Sequence, residues 1–139
     1  MEIIIRNLQK KIPVRKTKIK KALLKLLSKE GPKLNAQIWV SFVTDTAIKA
    51  LNAQFLNKNC ATDVLAFDLS DTYATGYLVG DIVVSADTAL RNARVFNTKP
   101  SYELNLYAVH GLLHLLGYGD HTRKEKQLMR RKEKIYVNQ

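Results

Sequence analysis

An α+β fold, with a single mixed β-sheet of about four strands and helices packed on it, is what the sequence predicts. Three observations carry the prediction. Some apolar segments alternate with period two, as half-buried strands do, and others repeat at helical spacing. Their order along the chain reads β-α-β-α-β-β-α-α-α. No repeat, linker or low-complexity tract interrupts that order, so residues 1–139 are expected to form one domain. A chain of this length can bury roughly two-thirds of its unfolded surface.

Taken in order, Ile3-Ile4-Ile5 reads as a short buried strand that ends near the loop at Pro13. Residues 16–30 carry Ile19, Leu23, Leu24, Leu26 and Leu27 among lysines, an amphipathic helix with one core face and one basic face. Thr17 is its expected cap, and Gly31-Pro32 stops it. Residues 36–43 alternate, with Ile38, Val40 and Phe42 on one side, and form a strand. Thr44 or Asp45 caps a helix through Ile48, Leu51 and Phe55, followed by a loop at Lys58-Asn59-Cys60-Ala61. Residues 62–69 form the next strand, and the small polar residues 71–76 a surface loop. Residues 78–84 are the last strand. Ser85 or Asp87 starts a helix through Leu90, Ala93 and Phe96, closed by Asn97-Thr98-Lys99-Pro100. Ser101, with Glu103 or Asn105 nearby, opens a helix to residue 116, and Thr122 caps a last one over 123–136 with Leu128, Met129 and Ile135 turned inward.

Composition narrows the class. Hydrophobic content of 46% with 25% charged residues suits a soluble globular protein. Cys60 is the only cysteine, which excludes an intramolecular disulfide and gives no reason to expect secretion. The start, Met1-Glu2-Ile3-Ile4-Ile5-Arg6, lacks the basic n-region of a signal peptide, and the longest apolar stretch, residues 104–116, is too short to span a bilayer. A cytoplasmic location is expected. The net charge of +11 is uneven: residues 1–33 hold 11 Lys/Arg against 2 acids, residues 122–139 hold 7 against 2, and the centre is weakly acidic. Basic ends on such a chain suit a polyanion such as RNA, with Arg130, Arg131 and Lys132 as candidate contacts.

The chemistry concentrates in Val109-His110-Gly111-Leu112-Leu113-His114-Leu115-Leu116-Gly117-Tyr118-Gly119-Asp120-His121, which holds all three histidines. His110 and His114 share one helix face a turn apart, so two imidazoles can reach one small cation. Gly117 stands where a left-handed residue ends a helix, and the turn after it can return His121 to the first two. Three imidazoles with a fourth position open is the layout of a catalytic zinc site, about one Zn2+ per chain. Gly111 replaces the glutamate that serves as general base in His-Glu-x-x-His metalloproteases, so protease chemistry is not expected.

These residues resemble the signature of the YbeY family of metal-dependent endoribonucleases. Asn52-Ala53-Gln54-Phe55, residues 62–67 and Gly80-Asp81-Ile82-Val83-Val84-Ser85 extend the resemblance over about residues 3–136. It implies His110, His114 and His121 as metal ligands, a fold distantly like the zinc proteases, and a cytoplasmic enzyme of ribosome biogenesis. The implied activity is cleavage of single-stranded ribosomal RNA, at the 3′ end of small-subunit rRNA, and in ribosome quality control. The implied partners are ribosomal RNA, the small ribosomal subunit and ribosome-assembly proteins, with no membrane. Two positions depart from the family. It usually has five residues between its second and third histidines; here there are six, with Gly119 the apparent extra. It also tends to carry an arginine after the aromatic of the Asn-x-x-aromatic stretch, where this chain has Leu56. Lys58, two residues on, is the candidate replacement cation, and His114 acts in catalysis as a ligand. Asp63, Asp81 or Asp120 is expected to hydrogen-bond the outer nitrogen of a ligand histidine, with a helix or turn cap the equal alternative for Asp63 and Asp81. The other reading is an RNA-binding assembly factor whose metal is structural and whose hydrolysis is vestigial.

Overall fold

The computed structural model describes residues 1–70 and 76–137. Of the loop expected over 71–76, all but Gly76 lies outside them. The alternating segments become β1 (Glu2–Asn7), β2 (Asn35–Val43), β3 (Val64–Asp68) and β4 (Tyr77–Ser85). The helical repeats become α1 (Lys16–Glu30), α2 (Asp45–Leu56), α3 (Ala86–Phe96), α4 (Pro100–Leu115) and α5 (Arg123–Val137). The strands form one sheet in the order β1-β2-β4-β3. β1 runs parallel to β2, with Ile3 opposite Ile38, and β2 parallel to β4, with Ile38 opposite Gly80. β3 is the antiparallel edge, Leu65 facing Val83. The sheet is therefore mixed, with four strands among the described residues, in an α+β domain.

Period-two alternation decides what each face meets. Ile38, Val40 and Phe42 of β2 and Ile82 and Val84 of β4 are fully buried in the main core. That core takes Leu23, Leu26 and Leu27 from α1, Leu104, Ala108 and Leu112 from α4, and Met129 and Tyr136 from α5. The opposite face makes a smaller cluster of Val43, Leu65 and Val83 under Ile48 of α2.

Several local expectations shift by a residue or two. Thr17 and Ser101 lie inside their helices; α1 follows Arg15 and α4 follows Lys99, neither with a side-chain cap. In α4 the fixed φ of Pro100 supplies the first helical position instead. Thr44 caps α2 and Ser85 caps α3, accepting from the amides of Ala47 and Thr88. Asp45 and Asp87, the alternatives, tie the two helix starts together. Asp87 accepts from the Asp45 amide at 2.7 Å and pairs with Lys11, while Asp45 accepts from Ser85 Oγ at 2.6 Å and Arg91 at 2.7 Å. In α5, Met129, Tyr136 and Val137 are buried while Ile135 is exposed, so part of the inward face is one residue out of phase with the expectation. Phe55 and Phe96 stand exposed as well; the Phe55 ring packs edge-on against Phe67 at the mouth of the smaller cluster.

Gly111 explains how close α4 lies to the sheet. A Cβ there would sit 2.8 Å from Ile82 Cγ2 and 3.2 Å from Val64 Cγ2. The glycine that replaces a catalytic glutamate is thus a packing residue on the buried side of the helix. Gly111→Val should destabilise the fold by about 1–3 kcal/mol, the usual cost of overpacking a filled core. Chemical denaturation of the two proteins measures this directly, and equal midpoints would refute the close approach.

Candidate metal centre

The end of α4 is built by its own hydrogen bonds. The Gly117 amide donates to the His114 carbonyl and the Tyr118 amide to the Leu113 carbonyl, both at 3.0 Å. This paired pattern is the Schellman motif, and Gly117, at φ +99°, supplies the left-handed residue it requires. Five residues later Thr122 and Glu125 form a reciprocal capping box: the Thr122 amide donates to Glu125 at 2.9 Å, and the Glu125 amide to Thr122 Oγ1 at 3.1 Å. The turn is therefore clamped at both ends. Gly119 lacks a positive φ; what it allows is the approach of the Glu125 carboxylate, which a Cβ would meet at 1.9 Å.

Three donors converge beside this turn. Nε2 of His110 and Nε2 of His114 lie 2.9 Å apart. Asp120 Oδ2 is 3.2 Å from His114 Nε2 and 3.5 Å from His110 Nε2. Ligand atoms of these three residues all fall within 4.8 Å of one another, a group that could hold a metal ion. Two imidazoles and a carboxylate are a donor set for first-row divalent ions, zinc included, so the residues present fit one. His121 is exposed and outside the group. The shift from expectation has a simple cause. With Gly119 inserted, the sixth residue after His114, where the family's spacing puts a histidine, is Asp120.

The outer nitrogen of His110 finds a partner the sequence reading did not name. Glu133 Oε2, from α5, lies 3.3 Å from His110 Nδ1. An Nδ1–H donating to that carboxylate leaves the Nε2 lone pair facing the site. Burial opposes a charge on His110, but Glu133, Asp63 and Asp120 outweigh it and hold its pKa above the ordinary value. Glu133 falls four residues after buried Met129 and three before buried Tyr136, and an acid on that inward stripe was the available signal. Of the acids expected in this role, Asp63 instead accepts from the Val64 amide and Thr62, and Asp120 is a donor of the group itself. Asp81 belongs to the other face of the sheet, where burial raises its pKa against the nearby Arg6.

A second carboxylate fixes the surroundings. Glu30, at the end of α1, accepts from Tyr118 of the turn and from Tyr136 and Lys132 of α5. Lys132, read as an RNA contact, is thereby a structural ion pair, while Arg130 and Arg131 are exposed. Lys58 is exposed just beyond α2, and Cys60 is a free, exposed thiol.

Burial would raise the pKa of Glu30, but its three partners bring it below the usual 4.5. Asp45 and Asp87 are likewise lowered, the first against its burial by Arg91, Ser85 and Thr88, the second by Lys11 and the Asp45 amide. A lowered folded pKa contributes stability that is present above the unfolded value and lost as pH falls through the folded one. Melting temperature of the chelated protein should therefore fall below about pH 4.5, and less so for Glu30→Gln measured against its own neutral-pH value. Parallel acid profiles for the two proteins would refute Glu30's part in this.

Fold and site together define an α+β domain with a histidine–carboxylate group that could hold a metal ion at the end of one helix. The family model described as Endoribonuclease YbeY matches residues 4–139. The chain belongs to the YbeY family. It is 36% identical to the Endoribonuclease YbeY of Desulforamulus reducens, over 96% of this chain and 93% of that protein. It is 46% identical over 71% of its length to that of Anaeromyxobacter sp. (strain Fw109-5). The chain spans about half the length of this and a second Anaeromyxobacter relative, 52% and 46%. The solution structure of TM1509 from Thermotoga maritima superposes with a TM-score of 0.66 at 31% identity, covering 98% of this chain and 87% of that one.

Proposed function

We propose that this chain is a metal-dependent endoribonuclease that cuts single-stranded ribosomal RNA during maturation of the small-subunit 3′ end, and in ribosome quality control, with zinc as its ion and the cytoplasm as its place of action. One observation carries the reading: His110, His114 and Asp120 converge on one point in a chain of net charge +11 that belongs to a family of endoribonucleases. A divalent ion held there would polarise a phosphodiester oxygen and make an attacking water more acidic. The chain's own residues do the rest. His110 and His114 bind through Nε2, Glu133 orients the His110 ring, and the clamped turn presents Asp120. Lys58 offers a cation for charge that develops on the phosphate. Arg130 and Arg131, exposed on α5, offer contacts to the RNA backbone, and the small subunit and its assembly proteins are the partners this activity needs.

Leu56 favours a second reading, a ribosome-associated assembly factor with a structural metal. It ends α2 and is 47% exposed where the resemblance leads one to look for arginine. The deciding experiment is elemental analysis of unchelated protein beside cleavage of a single-stranded RNA with and without chelator. Bound zinc and chelator-sensitive cleavage support the nuclease; bound metal without cleavage supports the assembly factor. Absence of any transition metal overturns both.

A further inference from the structure

The basic residues of the N-terminal third stand outside the metal-ligand group, yet the fold gathers some of their charge into a groove. The groove encloses about 690 Å3 between the approach to α1 and the start of α4. Three cations line it, Arg15 and Lys18 from one side and Lys99 from the other, and among the described residues no acid does. Their side chains are exposed and take no hydrogen bond or ion pair among the described residues, unlike Lys11, Arg91 and Lys132, each held by a carboxylate. Ser101 and Asn105 add polar groups to the wall and Tyr102 adds a half-buried ring.

We propose that this groove binds the phosphodiester backbone of the RNA strand at a distance from the metal centre. The inference rests on the reading that RNA is the substrate. Three cations without a partner among the described residues, in a concave wall whose described lining holds no acid, attract a polyanion strongly. Hydroxyl and amide side chains complete phosphate contacts, and an aromatic ring offers a face to an unstacked base. The groove is separate from the site that cuts. Pro100 precedes His110 by ten residues, a rise of about 15 Å along α4. Ser101 and Asn105 each stand nine residues before a site histidine, His110 and His114 respectively, so they lie roughly 180° away around the helix. A strand occupying both must wrap the helix end, and the groove therefore sets affinity while the metal centre sets chemistry.

The test is binding of a fluorescent single-stranded RNA by the metal-loaded protein at 50 and 200 mM salt. Each phosphate neutralised on a single strand contributes about 0.7 to the slope of log affinity against log salt. Arg15→Gln, Lys18→Gln and Lys99→Gln combined should flatten the slope by about 2, so that this fourfold rise in salt weakens the variant roughly 18-fold less than the native protein. Single variants should each flatten it by about 0.7 and guard against misfolding of the triple one. Metal content and melting temperature should stay at native values in all of them. Native protein that binds RNA while the variants keep its slope overturns the groove alone. Native protein that fails to bind RNA overturns the RNA reading and the groove with it.

Discussion

Asp120→Ala should cost the protein its divalent ion, whereas His121→Ala should leave it bound. The geometry is unambiguous on which side chain stands with the two imidazoles: Asp120 Oδ2 lies within 3.5 Å of both Nε2 atoms, and His121 is outside the group. Loss of a residue that merely supports a ligand lowers metal affinity about 10- to 100-fold, so loss of one ligand in three should cost more than that. An ion that binds only the native state stabilises it, so melting temperature in excess metal should fall along with occupancy. Deletion of Gly119 gives the converse. It brings His121 to the sixth place after His114, and in that background His121→Ala should become the damaging change. Competition titration against a metal indicator reads the four variants beside the native protein. Occupancy that depends on His121 in the native chain would refute the carboxylate ligand.

Leu56→Arg should raise RNA cleavage about 100- to 1000-fold, the usual effect of one well-placed electrostatic contact in a transition state, or some 3–4 kcal/mol. The native chain should accordingly be a slow nuclease. An aliphatic side chain supplies no charge to a phosphate whose oxygens become more negative. Leu56 is exposed at the last position of α2, so the substitution should disturb neither the fold nor the metal content. Lys58, beyond the left-handed Asn57 that closes the helix, carries the remaining cation, and Lys58→Ala should lower what activity there is. Single-turnover cleavage with metal-matched samples separates these effects from occupancy. A native protein that cuts RNA quickly and ignores both changes takes its charge from elsewhere.

The sequence made the architecture legible because its periodicities are strong where helices and strands are long. Residues 16–30 and the alternation of Ile38, Val40 and Phe42 needed no tertiary context. Helix starts were harder, because several polar residues near each boundary can cap and only packing selects among them: Thr44 and Ser85 do so, Thr17 and Ser101 do not. In the site, the His110–His114 pair follows from helical spacing alone. The third position does not, because a turn has no fixed period and one extra glycine exchanges one neighbour for the next. Glu133 was hidden for a different reason. It reaches His110 across 23 residues of sequence, and its place on the inward stripe of α5 marks it as buried without saying which residue of α4 it meets.

Glu30 has a bearing on the order in which the molecule assembles. Its partners Tyr118, Lys132 and Tyr136 lie 88, 102 and 106 residues further along the chain. Contacts so distant in sequence form late, after loop closure has brought the segments together. During synthesis from the amino end, α1 waits with its carboxylate while the histidine helix emerges. The turn carrying Asp120 and the helix carrying Glu133 are secured only when α5 folds back onto both. A nascent chain halted ahead of α5 would display His110 and His114 without Glu133 and with the turn that carries Asp120 not yet clamped. Ion uptake should therefore mark a chain whose folding is already finished, so that a partly made chain stays without a loaded site.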